Sequence, residues 1–203
     1  MKLGHIIFIL TVFLLLSGCM VFSFYPLYRQ EDLFANDLLI GEWLEEDSAS
    51  WQFDFYYRGE EHLPENRDST SFLLHIKDPD HKEARQASFR VHIIRLAGHY
   101  FLDFFLEEYF CDEVDLFDLH LMPVHSFARL DLQDSSAVIR WFDPDWLEDL
   151  FKKKREQISF QDNGDSFLLT AKTEELQKFV IKHANNPKAF SGGVVMELRR
   201  ITR

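Results

Sequence analysis

Residues 87–107 read "ASFRVHIIRLAGHYFLDFFLE". Two apolar runs flank Ala97-Gly98. Val, Ile and Phe dominate them, the residue types that pack well on a pleated surface. Glycine accepts the positive φ of a tight hairpin turn without a Cβ clash. The stretch therefore reads as an antiparallel hairpin of two strands joined at Ala97-Gly98.

The same grammar extends in both directions. Upstream, "WQFDFYYR" (51–58) alternates and places Trp51, Phe53, Phe55 and Tyr57 on one face. "SFLLHIK" (71–77) follows as a second strand after a polar loop over 59–69. Downstream, "HSFARLDLQDSSAVIRWF" (125–142) repeats the hairpin around Asp134-Ser135-Ser136. "ISFQDNGDSFLLTA" (158–171) turns at Asn163-Gly164, and "GGVVMELRRI" (192–201) makes the last strand behind Gly192-Gly193.

Two helices interrupt the strands. Asp143-Pro144 reads as N-cap and first helical residue, with Trp146, Leu147, Leu150 and Phe151 on one face. Lys152 to Arg155 bring positive charge to its C-terminus. The second helix starts with Thr173 as N-cap and carries the stripe Leu176, Phe179, Val180 and His183. It stops before Asn185-Asn186-Pro187. The expectation is a mainly β chain, an antiparallel β-barrel or sandwich with two short helices before the last strand.

Phenylalanine supplies 21 of the 203 residues, enough bulk to fill a barrel or to line an apolar pocket. The net charge of −12 leaves no electrostatic footprint for nucleic acid or anionic lipid.

Residues 6–16 are nearly unbroken hydrocarbon behind Lys2. That run is short for a membrane span and suits the apolar core of a signal peptide. It ends in Leu16-Ser17-Gly18-Cys19, which resembles the lipobox of bacterial lipoproteins. The resemblance implies cleavage between Gly18 and Cys19, a diacylglycerol thioether on Cys19 and an acyl chain on the new amino terminus. Residues 1–18 are then a signal peptide, 19–39 a lipid anchor and tether, and 40–203 a single domain. Two or more acyl chains give stable membrane binding. Met20, and not aspartate, follows the cysteine. By resemblance to enterobacterial sorting, this implies the outer membrane of a Gram-negative cell. Pro26 argues against a helix at the start of the tether, and residues from Tyr25 to Leu39 are aromatic enough to pack on the domain.

"LLIGEWLEE" sets Gly41 and Trp43 at the start of the first strand. Gly-x-Trp there resembles the lipocalin superfamily. The resemblance implies that Trp43 closes the barrel floor with an arginine of the last strand, Arg199 or Arg200, stacked on it. "YPLYRQEDLFANDLLIGEW" (25–43) and "LLTAKTEELQKFVIKHA" (168–184) also resemble segments of uncharacterised lipoproteins from Gram-negative bacteria.

No catalytic motif appears. Gly-x-Ser-x-Gly and the phosphate-loop pattern are absent. With Cys19 lipidated, Cys111 has no intrachain partner, and the surrounding carboxylates disfavour its thiolate. None of the nine histidines stands in a zinc-type cluster: His120 and His125 fall on opposite faces of a strand, and His92 and His99 flank the hairpin and could approach across it, but one pair is not a site. The acidic run "EEYFCDEVDLFD" (107–118) lacks the order of a calcium loop and reads as a solvated loop. No metal, cofactor or nucleic acid is expected. The leading expectation is a non-enzymatic envelope lipoprotein that holds a small or apolar ligand in its barrel. The alternative is a filled barrel that acts through contacts with another envelope protein.

Overall fold

The structure, a computed structural model, describes residues 20–45, 49–59, 62–77, 87–109, 122–153, 155–162 and 167–202. Leu16 to Cys19, Cys111, His120, most of the acidic run and the Asn163-Gly164 turn lie outside them. In chain order the elements are β1 (Phe22–Ser23), β2 (Gly41–Glu45), β3 (Ser50–Tyr57), β4 (Arg67–Lys77), β5 (Ala87–Leu96), β6 (His99–Tyr109), β7 (His125–Leu132) and β8 (Ser136–Trp141). Then come α1 (Pro144–Lys152), β9 (Phe160–Asp162), β10 (Phe167–Leu169), α2 (Thr173–His183) and β11 (Val195–Thr202).

Strands β2 to β8 each pair antiparallel with the next, and β11 pairs with both β8 and β2. The sheet closes into an eight-stranded antiparallel barrel, with both helices in the connection before its last strand. The β5–β6 turn sits at Ala97 (φ 48°) and Gly98 (φ 84°), with Leu96 opposite His99. Two consecutive positive φ values match strand twist, and Ala97 bears the steric cost that Gly98 escapes.

Alternation along the strands sends Trp43, Trp51, Phe53, Phe72, Leu74, Phe104 and Trp141 into the barrel, none more than 5% exposed. The opposite parity of β5 to β7 carries Ile94, Leu96, Phe101 and Phe127 outward into a second core. There they meet Leu147 and Phe151 of α1 and Leu176, Phe179 and Val180 of α2. These strands are apolar on both faces because both faces are covered.

Several local expectations change. The β3–β4 register shifts after Phe55, which faces Phe72 while Tyr56 faces Asp68, and Phe55 and Tyr57 stay half-exposed outside the barrel core. Strand β4 begins at Arg67, so it takes up the end of the expected loop. Asp143 does cap α1, accepting from the Asp145 N–H (2.9 Å) and the Trp146 N–H (3.1 Å). Lys172, not Thr173, occupies the N-cap of α2. The Thr173 hydroxyl instead donates to the Pro26 carbonyl at 2.8 Å.

Residues 20–39 are built into the body. Strand β1 lies between β7 and β10, and Val21, Leu27 and Leu39 are buried. Residue 39 is therefore no break in the packing. Gly193 allows a close crossing behind β8: a Cβ there would lie 2.2 Å from the Trp141 carbonyl oxygen.

Candidate functional site

At the barrel floor, Trp43 is fully buried and its indole N–H donates to the Leu39 carbonyl at 2.8 Å. The Arg200 guanidinium lies 4.0 Å from the centre of the Trp43 ring. It donates to the carbonyls of Ile40 (2.7 Å), Asp134 (2.8 Å) and Leu38. Arg199 takes no part in this stack; strand alternation turns it to the exposed outer face, opposite Leu44 and Ser136. Gly41, at φ 122°, pairs with Phe53 and starts β2. The cluster ties the start of the first barrel strand to the end of the last. It is a closure, with no reacting group in it.

A second polar group lies on the outer wall, beneath the segment 24–34. Ser71, His92 and Asp103 stand directly opposite one another across β4, β5 and β6. Asp103 is fully buried. Its Oδ2 accepts the Leu27 N–H at 2.8 Å, and its Oδ1 lies 2.6 Å from His125 Nδ1. A buried carboxylate needs such partners, because leaving it unpaired is costly. The Tyr28 ring packs 4.3 Å from the ring of His92. Burial pushes His92 below its ordinary value, against the Thr70 carbonyl and the Asp103 charge. Burial, and then the Asp103 charge, push the Tyr28 phenol up.

Serine, histidine and aspartate in one row invite a nucleophile reading, and the hydrogen bonds argue against it. His92 Nδ1 lies 2.9 Å from the Thr70 carbonyl and 3.3 Å from Ser71 Oγ. A carbonyl only accepts, so Nδ1 carries the proton and cannot take one from Ser71. All three residues are buried. The row is a seam that holds the segment from above. From α2, Gln177 Nε2 completes the clamp by donating to the Leu27 carbonyl (2.8 Å) and to Asp32 Oδ2 (2.7 Å).

His92 faces Asp103 and His99 faces Leu96, so the two histidines do not approach across the hairpin. Among the described residues, no group of three or more His, Cys, Asp or Glu side chains is arranged to hold a metal ion. Asp103 and Gln177 escape the sequence reading, and His125 enters it only as a rejected metal ligand. The only signal was a lone carboxylate within the apolar run of β6 and a glutamine beside the apolar stripe of α2. No known family, curated protein or solved structure matches this chain.

Proposed function

We propose that this chain is a lipid-anchored lipoprotein of the bacterial cell envelope, without catalytic activity. Its barrel is a solid body that works through contacts of its outer surface with another envelope protein. The observation that carries this reading is the filled barrel interior. Trp43, Phe53, Phe72 and Leu74 are at most 1% exposed, and Trp51, Phe104 and Trp141 close the space around them. Inward side chains of this bulk support a barrel without room for the ligand that a hollow one would hold.

The anchor rests on Leu16-Ser17-Gly18-Cys19. Met20, half-buried, already packs against the barrel core, and Val21 is 3% exposed. Cys19 directly precedes Met20 in the sequence, so a lipid on it would leave almost no tether before the folded body. The anchor then orients the barrel on the membrane as well as tethering it. Met20 after the cysteine favours the outer membrane.

Two measurements test the proposal on the full chain expressed in a Gram-negative host. Labelling with an alkyne-bearing palmitate marks the wild type in the membrane fraction, and Cys19→Ser abolishes the label and the partitioning. Unchanged partitioning of Cys19→Ser refutes the anchor. Native mass spectrometry from detergent gives the mass of the chain and its acyl groups alone. A further mass that denaturation releases refutes the filled barrel and supports a carrier.

A further inference from the structure

A groove of about 420 Å³ runs along the outer wall where β7, β8 and β11 meet the segment that follows α2. Arg129, Arg140, Asn185, Pro187, Phe190 and Val195 are among its lining residues. Arg129 and Arg140 stand directly opposite each other on β7 and β8. Like charges in that position destabilise a strand pair. A chain with an excess of carboxylates nonetheless places two guanidiniums there, and one side chain reaches both. Asp131 Oδ2 lies 3.2 Å from Arg129 Nη2 and also accepts from Arg140 Nη1.

The pair is held in place. Arg129 Nη1 donates to the Ala184 carbonyl at 2.9 Å, and its guanidinium carbon lies 5.3 Å from the centre of the Phe190 ring. The side chains of Arg129 and Arg140 are only 24% and 31% exposed, whereas that of Asp131 is 49% exposed. Two partly desolvated cations thus share one loosely covered carboxylate. Arg129 Nε is buried and has no hydrogen-bond acceptor. Val195, opposite Arg140 on β11, is 43% exposed and adds an apolar floor beside Pro187 and Phe190. Lys188, in the turn that contains Pro187, and Glu197, farther along β11, carry charge on the same elements.

We infer that this groove is a binding site for a small carboxylate with a short apolar body. The carboxylate takes the Arg129–Arg140 fork in place of Asp131, and the apolar body lies over Val195 and Pro187. A carboxylate is favoured over other anions because the fork already grips one from this chain. Planar guanidinium pairs match that geometry. The inference does not depend on lipidation or on the filled barrel.

The test is calorimetric titration of the full chain in a non-ionic detergent with N-acetylleucine, N-acetylleucinamide and inorganic phosphate. N-acetylleucine is expected to bind saturably and at least about tenfold more tightly than the amide, the scale of one lost charge-assisted contact. Phosphate, lacking the apolar body, is expected to bind more weakly than N-acetylleucine. Arg140→Gln is expected to weaken N-acetylleucine at least about tenfold while its thermal midpoint stays level or rises, because the like-charge pair is gone. Asp131→Asn is expected to tighten binding, a gain that misfolding cannot imitate. Equal affinity for acid and amide overturns the inference. So do phosphate binding as tight as that of N-acetylleucine, an unaffected Arg140→Gln, and no saturable binding by either the wild type or Asp131→Asn.

Discussion

Replacing Arg200 with methionine removes the barrel closure but keeps most of the apolar stem that packs on Trp43. The guanidinium sits 4.0 Å over the indole, a contact worth about 0.5–2 kcal/mol. It also donates to the Ile40 and Leu38 carbonyls, which hold the segment before β2 against the end of β11. Hydrogen bonds from a charged donor contribute about 1.5–3 kcal/mol each. Arg200 is only half-buried, so the freed carbonyls regain some water, and the contributions do not simply add. We expect Arg200→Met to destabilise the protein by about 3–4 kcal/mol. For a chain of this size that lowers the thermal midpoint by about 6–16 °C. Urea unfolding followed by circular dichroism measures the first value, and a thermal scan the second. Arg200→Lys keeps a charge near the indole without the planar fork and should recover less than half of the loss. Arg199→Met, on the exposed face one residue away, should stay within about 0.5 kcal/mol of the wild type. If Arg200→Met and Arg199→Met lose the same stability, the closure argument is wrong.

Asp103→Asn leaves His125 without its buried carboxylate, so a loss of about 3–5 kcal/mol is expected, with faster protease cleavage between residues 24 and 34. Intact resistance in that segment would count against the seam. Gly193→Ala drives a methyl group into the Trp141 carbonyl at 2.2 Å and should cost at least about 1–3 kcal/mol in a thermal scan, whereas Gly98→Ala meets no atom and pays only for its positive φ of 84°. Burial raises the Asp68 carboxyl, but the Thr70 N–H, the Arg58 guanidinium and the Thr70 hydroxyl outweigh it and hold the group at about 2. Because the folded value is depressed, this stabilisation is complete above about pH 5 and is lost as pH falls from about 4 towards 2. The stability gap between wild type and Asp68→Asn should close over that window, and a gap that stays constant would refute the assignment.

The hairpin at Ala97-Gly98, the Asp143-Pro144 helix start and the stripe of Leu176, Phe179, Val180 and His183 were readable because each depends on neighbours within about one turn. The stacking of a last-strand arginine on Trp43 was instead implied by the resemblance that Gly41 and Trp43 carry, which left Arg199 and Arg200 open. The side of a barrel wall on which a residue lies follows from strand period. The register shift after Phe55, where residues 69–71 of β4 are left without partners on β3, is announced by no residue type.

The seam at Asp103 shows the deeper limit. In β5 and β6 both parities are apolar, so alternation does not say which face lines the barrel and which meets the helices. Asp103 is buried only because Leu27 and Tyr28, about 75 residues earlier, fold across it while Gln177 reaches down from α2. Local chemistry in the chain determined the Ala97-Gly98 turn, the Asp143 cap of α1 and the runs that become strands. The filling of the barrel, the covering of its outer wall and the meeting of Arg129 with Arg140 were decided by tertiary packing. Those contacts join residues whose separation along the chain carries no periodic signal.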